Sequence, residues 1–166
     1  MNSTMQFHNY PAEARIGRAN QVYDENDIRQ ITGTIAVDPK TNKVLVISSS
    51  KHRNVWVLPK GGWESDETKE QSAIRETYEE GGVLGNIKGL VGNFMDYDSY
   101  GELKGNVWFY EFEVQQILDQ WPEMHFRKRR WCTFEEAMDL LRFKPFMRQA
   151  LLASSFAPKD NTFQSA

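Results

Sequence analysis

The stretch GGWESDETKEQSAIRETYEEGGV, residues 61–83, is the most informative part of this chain of 166 residues for predicting its fold. It opens on the glycine pair Gly61-Gly62, continues through a run of helix-forming residues, and closes on a second pair, Gly81-Gly82. Glycine tolerates the left-handed conformation in which many helices end. Three side chains near the start of the run are suited to cap a helix: Ser65, Asp66 and Thr68. We therefore predict a helix that starts just after a glycine-rich loop and ends at about Glu80.

Three glutamates lie within one turn of this predicted helix. Glu76, Glu79 and Glu80 stand at positions i, i+3 and i+4, so their side chains share one face. Each like-charged pair at that spacing costs about 0.2 to 0.5 kcal/mol, and no lysine lies inside the cluster to relieve the repulsion. A hard divalent cation such as Mg²⁺ binds carboxylate oxygens and often bridges to substrate phosphates. The cluster therefore predicts a metal site, with solvated surface glutamates as the alternative.

The glycine loop and the glutamate helix together resemble the Nudix box. That box runs glycine, five residues, Glu, seven residues, Arg-Glu, aliphatic, one residue, Glu-Glu, one residue, glycine, aliphatic. Gly61, Glu67 and the segment 75–83 match it at every defined position except Thr77, which stands where an aliphatic residue is usual. The resemblance implies the Nudix α/β/α sandwich, an α/β (α+β) fold with a mixed central sheet.

The resemblance also implies roles for the box residues. Four groups would form a site for Mg²⁺, or alternatively Mn²⁺: the carboxylates of Glu76, Glu79 and Glu80 and the carbonyl of Gly61. Glu80, in preference to Glu76, would be the catalytic base that activates water. Arg75 and Glu67 would form a supporting ion pair that fixes the helix against the loop. The implied reaction is cleavage of a diphosphate linkage, in which the metal stabilises charge on phosphate oxygens and lowers the pKa of a bound water.

Segments outside the box are similar to diphosphoinositol polyphosphate phosphohydrolases, especially the fungal type. These segments are 15–23, 48–52, 56–62 and 127–129. That family removes the β-phosphate from inositol pyrophosphates and also cleaves diadenosine polyphosphates. Carried over by position, the resemblance gives these phosphate-binding candidates: Arg18, Arg29, Ser49, Lys51, Lys60, Gly62, Lys104, Arg127 and Lys144. Many lysines and arginines suit a ring that carries phosphates in every direction.

Two other functions compete with this interpretation. A Nudix enzyme that acts mainly on nucleotides, such as diadenosine polyphosphates or capped RNA, is favoured weakly by Tyr100, which stands where dinucleoside polyphosphate hydrolases often carry tyrosine. Asp96 and Asp98 would also weaken contact with a polyphosphate. A non-catalytic Nudix fold that only binds a phosphorylated ligand is disfavoured, because such relatives usually lose the box glutamates and this chain keeps them all.

Composition bounds the remaining possibilities. The net charge of −3 argues against a general nucleic-acid or membrane binder, since such proteins need a basic surface. Cys132 is the only cysteine, so no intramolecular disulfide can form. No stretch approaches the roughly 20 apolar residues that span a bilayer. We expect a small-molecule polyphosphate as the partner and a cytoplasmic or nuclear location, or secretion if a signal peptide has been removed. The oligomeric state stays open.

The rest of the chain predicts an order of elements around the box helix. Residues 1–28 would be an arm that packs on the domain, 29–156 the Nudix hydrolase domain, and 157–166 a flexible tail. Strands are predicted over 31–37, 44–48, 55–58, 87–95, 107–114 and 131–134, and helices over 135–141 and 146–154. Residues 97–105 predict a hairpin loop, 115–120 a helical turn, and the glycines at 61–62 a break in regular structure.

Overall fold

A mixed sheet flanked by helices forms the protein in the computed structural model, which describes residues 11–159. Parts of the predicted arm and tail, residues 1–10 and 160–166, lie outside the described residues. The strands are β1 (Gln30–Asp38), β2 (Lys43–Ser48), β3 (Trp56–Val57), β4 (Lys60–Gly62), β5 (Val83–Tyr97), β6 (Leu103–Ile117) and β7 (Arg129–Cys132). The helices are α1 (Lys69–Gly81), α2 (Phe134–Leu140) and α3 (Pro145–Ala153). The predicted α+β class is confirmed.

The sheet follows the order β3-β2-β1-β6-β5, with β4 paired to β1 and β7 paired to β2. Its central pair, β1 and β6, is parallel, and the other pairs are antiparallel. The first seven residues of β1 are all buried, as expected for a strand covered on both faces. Helix α1 packs on one face of this strand, while Phe146 of α3 lies 6.2 Å from Phe109 of β6, ring centre to ring centre. The sheet is therefore the middle layer of a three-layer sandwich.

Helix α1 has a defined start and end. Of the three predicted capping residues, Thr68 is the one that caps it: its hydroxyl accepts from the Gln71 backbone N–H at 3.1 Å, and the Gln71 side chain accepts from the Thr68 N–H at 2.9 Å. This reciprocal pair is a capping box. At the other end Gly82 adopts φ +66, a left-handed conformation. A Cβ on Gly82 would also collide with the Trp121 ring, so this position needs glycine for two reasons.

Two predictions about local structure are wrong, and a third, the hairpin loop, has the right structure but narrower bounds. The glycines at 61–62 do not interrupt regular structure, because Lys60–Gly62 pairs with β1 as a short strand. No helical turn forms at 115–120, because Gln116 and Ile117 extend β6 by pairing with the start of β5. The predicted hairpin loop at 97–105 shrinks to 98–102, where the Asp98 side chain accepts from the N–H groups of Tyr100 and Glu102 at 2.9 Å each. The other element ends shift by a few residues.

The arm lies along the loop that precedes α1. Val22 donates its N–H to the Trp63 carbonyl at 2.8 Å, and the Arg15 guanidinium contacts Glu64 and Asp66 at 2.9 Å each. These contacts hold Arg18 next to the box loop.

No helix within residues 11–159 is long and apolar enough to cross a bilayer.

Thr77, the one departure from the box, is explained by its partner across the α1–β1 interface. Its hydroxyl lies 2.6 Å from that of Thr34 and donates to the Ala73 carbonyl at 2.7 Å. Both threonines are fully buried. The usual aliphatic residue would leave the Thr34 hydroxyl buried without a partner, and an unpaired buried hydroxyl is costly. The sequence at these two positions is thus matched as a pair.

We predict that Thr77→Val lowers the free energy of unfolding by about 1 to 3 kcal/mol, because the Thr34 hydroxyl loses its partner. Thr34→Val should cost less, since the Thr77 hydroxyl keeps its bond to Ala73. The double variant should recover most of the loss, because both polar groups are removed together. Urea denaturation of the four proteins measures this, and a double variant less stable than Thr77→Val alone would contradict it.

Candidate active site

A groove of about 480 Å³ opens where the box loop, the arm and several strand ends meet. We call it the central groove. All nine phosphate-binding candidates line it, although they come from different parts of the chain: Arg18, Arg29, Ser49, Lys51, Lys60, Gly62, Lys104, Arg127 and Lys144. Gly61, Glu76 and Glu80 line it as well. The fold therefore brings together residues that are up to 126 positions apart in sequence, counted from Arg18 to Lys144.

The box glutamates are buried rather than solvated. Glu76, Glu79 and Glu80 are 8%, 2% and 8% exposed, which rules out the alternative of surface glutamates. Glu76 and Glu80 line the groove. Glu79 is turned away from it, and its carboxylate contacts Arg75 at 3.2 Å and the Arg15 backbone N–H at 3.2 Å. The helix face predicted to hold three carboxylates thus presents two of them to the groove.

No lysine lies inside the cluster, as the sequence shows, but the arginine next to it, Arg75, relieves the repulsion. Its guanidinium is 4% exposed and lies 2.9 Å from Glu76 and 3.2 Å from Glu79. It also forms a double contact with Glu67, at 2.6 and 2.9 Å, and donates to the Gly62 carbonyl at 3.1 Å. Burial alone lowers the pKa of Arg75, but the bonds to Glu67 and the charge of Glu76 outweigh burial and raise that pKa above its ordinary value. Arg75 therefore stays charged and ties the loop to the helix.

Glu80 is held by two contacts at the floor of the groove. The Arg127 guanidinium lies 3.2 Å from one carboxylate oxygen, and the Lys60 backbone N–H donates to the other at 3.0 Å. Burial raises the pKa of Glu80 to about 7, even though Arg127 and Lys60 favour its charged form. Burial also raises the pKa of Glu76 well above its ordinary value, and the charge of Glu80 adds to that rise. Two carboxylates in this position need a positive partner to be ionised together.

The donor set fits a hard divalent cation. Gly61 is close enough to Glu76 that a Cβ on the glycine would overlap the carboxyl group, and the N–H of the preceding residue, Lys60, donates to Glu80 at 3.0 Å. Within residues 11–159, no group of three or more acidic, histidine or cysteine side chains is arranged so that side chains alone could hold a metal ion. A magnesium ion held here would therefore take two carboxylates and the Gly61 carbonyl, with water or substrate phosphate completing its shell, an arrangement that Mg²⁺ commonly adopts.

The walls of the groove carry positive charge without matching negative partners. Six cationic side chains that line it form no ion pair with any carboxylate in the described part of the chain: Arg18, Arg29, Lys51, Lys60, Lys104 and Lys144. Burial lowers the pKa of Lys51, and the charges of Lys104 and Arg18 lower it further. Cations that depress one another's pKa share a field suited to a polyanion.

One lining residue, Arg127, differs from what the sequence predicted, whereas Asp96 lines the central groove as expected. Arg127 is only 8% exposed and is already bound to Glu80, to Glu123 at 2.9 Å and to the Ser48 carbonyl at 2.9 Å, so it supports the groove more than it faces a ligand. Asp96 is the one carboxylate among the groove residues besides Glu76 and Glu80. Its charge opposes the lowering of the Lys60 pKa that burial causes.

Arg15, Ser50 and His52 also line the groove but were not among the predicted site residues. The same signal was available for all three. Ser50 and His52 flank Lys51 in a segment that resembles the phosphohydrolases. Arg15 belongs to the similar arm segment. Tyr100, the residue that favoured a nucleotide substrate, is 90% exposed and lines none of the four cavities described in residues 11–159.

Several solved structures share this fold. A NUDIX hydrolase from Nitrosomonas europaea superposes with a TM-score of 0.67 over 80% of this chain and 94% of its own, at 17% sequence identity. The Ap4A hydrolase of Caenorhabditis elegans superposes with a TM-score of 0.57 over 76% of this chain and 95% of its own, at 20% identity. At these identities the likeness concerns the fold alone.

Sequence comparison gives nearer relatives. Nudix hydrolase 4 of Arabidopsis thaliana is 33% identical over 150 residues, covering 84% of this chain and 72% of the relative. Nudix hydrolase 18 of the same plant, named as mitochondrial, is 38% identical over 152 residues, covering 83% and 82%. Diphosphoinositol polyphosphate phosphohydrolase 3-beta of Bos taurus is 34% identical over 105 residues, covering 62% of each chain. The NUDIX domain itself matches residues 28–153. Since this match spans most of the chain and agrees with the sandwich fold and the box geometry, the chain belongs to the Nudix hydrolase family.

Proposed function

We propose that this protein is a metal-dependent diphosphate hydrolase that removes the β-phosphate from inositol pyrophosphates and cleaves diadenosine polyphosphates as a side activity. The observation that carries the proposal is the set of six cations without ion pairs around a groove whose floor holds two buried carboxylates. A nucleotide places its phosphates in one chain, whereas cations on several walls match a ring with phosphates on every side. The similarity to the bovine phosphohydrolase supports the same substrate.

The proposed mechanism assigns a task to each side of the groove. Nudix hydrolases generally use divalent metals; Mg²⁺ bound by Glu76, Glu80 and the Gly61 carbonyl would neutralise phosphate charge and lower the pKa of a bound water. Glu80 accepts the proton of the attacking water, and its two contacts with Arg127 and the Lys60 N–H orient the carboxylate for that step. Glu79, turned towards Arg75, helps to position Arg75 and through it the helix.

The wall cations would bind the phosphates that do not react. These cations come from different elements: Arg18 from the arm, Arg29 from the residue before β1, Lys51 from the turn after β2, Lys104 from β6 and Lys144 from the residue before α3. Their shared field holds the substrate so that one phosphorus faces Glu76 and Glu80. Ser49 and Gly62 add a hydroxyl and a backbone surface to the lining of the groove.

A substrate panel tests the proposal directly. With Mg²⁺ present, we expect kcat/KM for an inositol pyrophosphate to exceed that for a diadenosine polyphosphate or ADP-ribose by at least about tenfold, because only the first engages all walls of the groove. Released phosphate and nucleotide are quantified side by side. Faster turnover of a nucleotide would favour the nucleotide-hydrolase alternative, and no turnover of any of the three with Mg²⁺ or Mn²⁺ would favour the non-catalytic one.

Glu80→Gln tests the proposed base. The variant keeps the shape of the side chain but cannot accept a proton, so we predict that kcat falls by about 10²- to 10⁴-fold. Glu70→Gln is the matched control, since Glu70 lies on the same helix outside the groove and its bond to the Tyr110 hydroxyl survives the change. It should keep kcat within about twofold. Near-normal turnover by Glu80→Gln would contradict the assignment.

Lys51→Ala tests the wall cations. Losing one charge-assisted phosphate contact should raise KM for the inositol pyrophosphate by about tenfold or more with a smaller change in kcat. Lys88→Ala removes an exposed lysine that lines a different cavity, and it should leave KM unchanged. Steady-state kinetics at two salt concentrations measures both, and the same KM for the two variants would show that Lys51 does not bind the substrate.

A further inference from the structure

A second cavity lies beside the central groove, between the turn at 48–56 and the segment at 124–128. We call it the side pocket. Its volume is about 410 Å³, which falls within the range of small-molecule sites. Ser49, His52 and Arg127 line both the side pocket and the central groove, so the two are neighbours separated by those residues.

The charge of the side pocket differs from that of every other described cavity. No carboxylate lines it, whereas each of the other three cavities described in residues 11–159 has at least two. Arg53 and Lys128 are exposed and form no ion pair with the described carboxylates. The imidazole rings of His52 and His125 also line the pocket. Unpaired cations in a concave surface attract an anion.

Apolar side chains, two of them aromatic, form part of the rest of the pocket. Phe126 is 53% exposed and Met124 is 39% exposed, and Trp56 forms part of the lining contributed by the turn. Leaving these side chains in water is unfavourable unless a ligand covers them. A flat ring can stack on an exposed aromatic side chain. The pocket therefore offers an apolar surface and a cationic rim to the same ligand.

The walls are already fixed with respect to each other. Ser48 donates its N–H to the Lys128 carbonyl at 2.9 Å, and its hydroxyl accepts from the Lys128 N–H at 2.8 Å. Ser49 donates its N–H to the Val55 carbonyl at 2.8 Å, which closes the turn. Because the backbone of both walls is held by hydrogen bonds, binding would require little ordering of the pocket.

We propose that the side pocket binds a phosphate monoester carried by a flat heterocycle, the chemistry of a mononucleotide, at a site distinct from the central groove. The ring stacks on Phe126, and the phosphate is held by Arg53 and Lys128. This inference goes beyond the proposed hydrolysis and does not depend on it. A mononucleotide has no diphosphate linkage. The hydrolysis proposed for the central groove would therefore not consume it during a binding measurement.

Titration of adenosine monophosphate into the full chain, followed by backbone and indole NMR signals, tests the proposal. We expect shifts at Asn54 and at the Trp56 indole N–H, and weaker binding of inorganic phosphate and of adenosine, because each lacks one half of the ligand. Arg53→Ala should weaken binding by about tenfold, and Phe126→Ala by about fivefold or more. All the altered side chains are exposed, so the variants should fold.

Matched controls separate the two cavities. Arg142→Ala and Leu90→Ala remove exposed side chains that line no described cavity, and neither should change the affinity. Lys51→Ala, a groove variant, should leave the shifts at the side pocket intact. Shifts confined to Gly61 and Gly62 would overturn the proposal. So would an affinity that Arg53→Ala and Phe126→Ala leave unchanged, or equal binding of inorganic phosphate. Tighter binding of phenyl phosphate than of adenosine monophosphate would overturn the assignment to a nucleotide.

Discussion

The site depends on the ion pairs of one buried side chain, the guanidinium of Arg75. It contacts four carboxylates, those of Glu64, Glu67, Glu76 and Glu79, and through Gly62 it also holds the strand before the helix. Removing one partner of a buried ion pair typically costs about 3 to 5 kcal/mol, because the remaining charge is left uncompensated. Arg15 also pairs with Glu64, so two guanidinium groups contact these four acids and a negative excess remains. Glu76, one of the four, faces the groove together with Glu80, so an added cation beside these two carboxylates is favourable.

The sequence predicted the parts of this arrangement that depend on local spacing. The caps of α1 and the shared face of its glutamates follow from positions three and four apart, and these needed no knowledge of the rest of the chain. The orientation of the Glu79 side chain, which points away from the groove, could not be predicted in the same way. It follows from the Arg15 backbone N–H, which lies 64 positions away in sequence and reaches the carboxylate only after the arm has docked.

The wrong predictions share a physical cause. The conformational freedom of Gly61 and Gly62 suggests a break in regular structure, yet both residues form a strand because the backbone of β1 pairs with them. They are glycines because the Glu76 and Gln21 side chains leave no room for a Cβ. Likewise, residues 115–117 carry no strand pattern of their own but continue β6 because β5 offers them partners. Pairing partners far along the chain decided both cases, and single-sequence patterns do not contain them.

Arg127 shows why a residue can belong to a site without facing a ligand. Its guanidinium joins Glu80 to Glu123 and to the Ser48 carbonyl, so it connects the floor of the central groove with the turn that divides the groove from the side pocket. A displacement of that turn would move Arg127, one of the two donors that contact Glu80. If Glu80 accepts the proton as proposed, its position matters more than the number of its contacts, so the rigidity of the 48–56 turn would contribute to the chemistry.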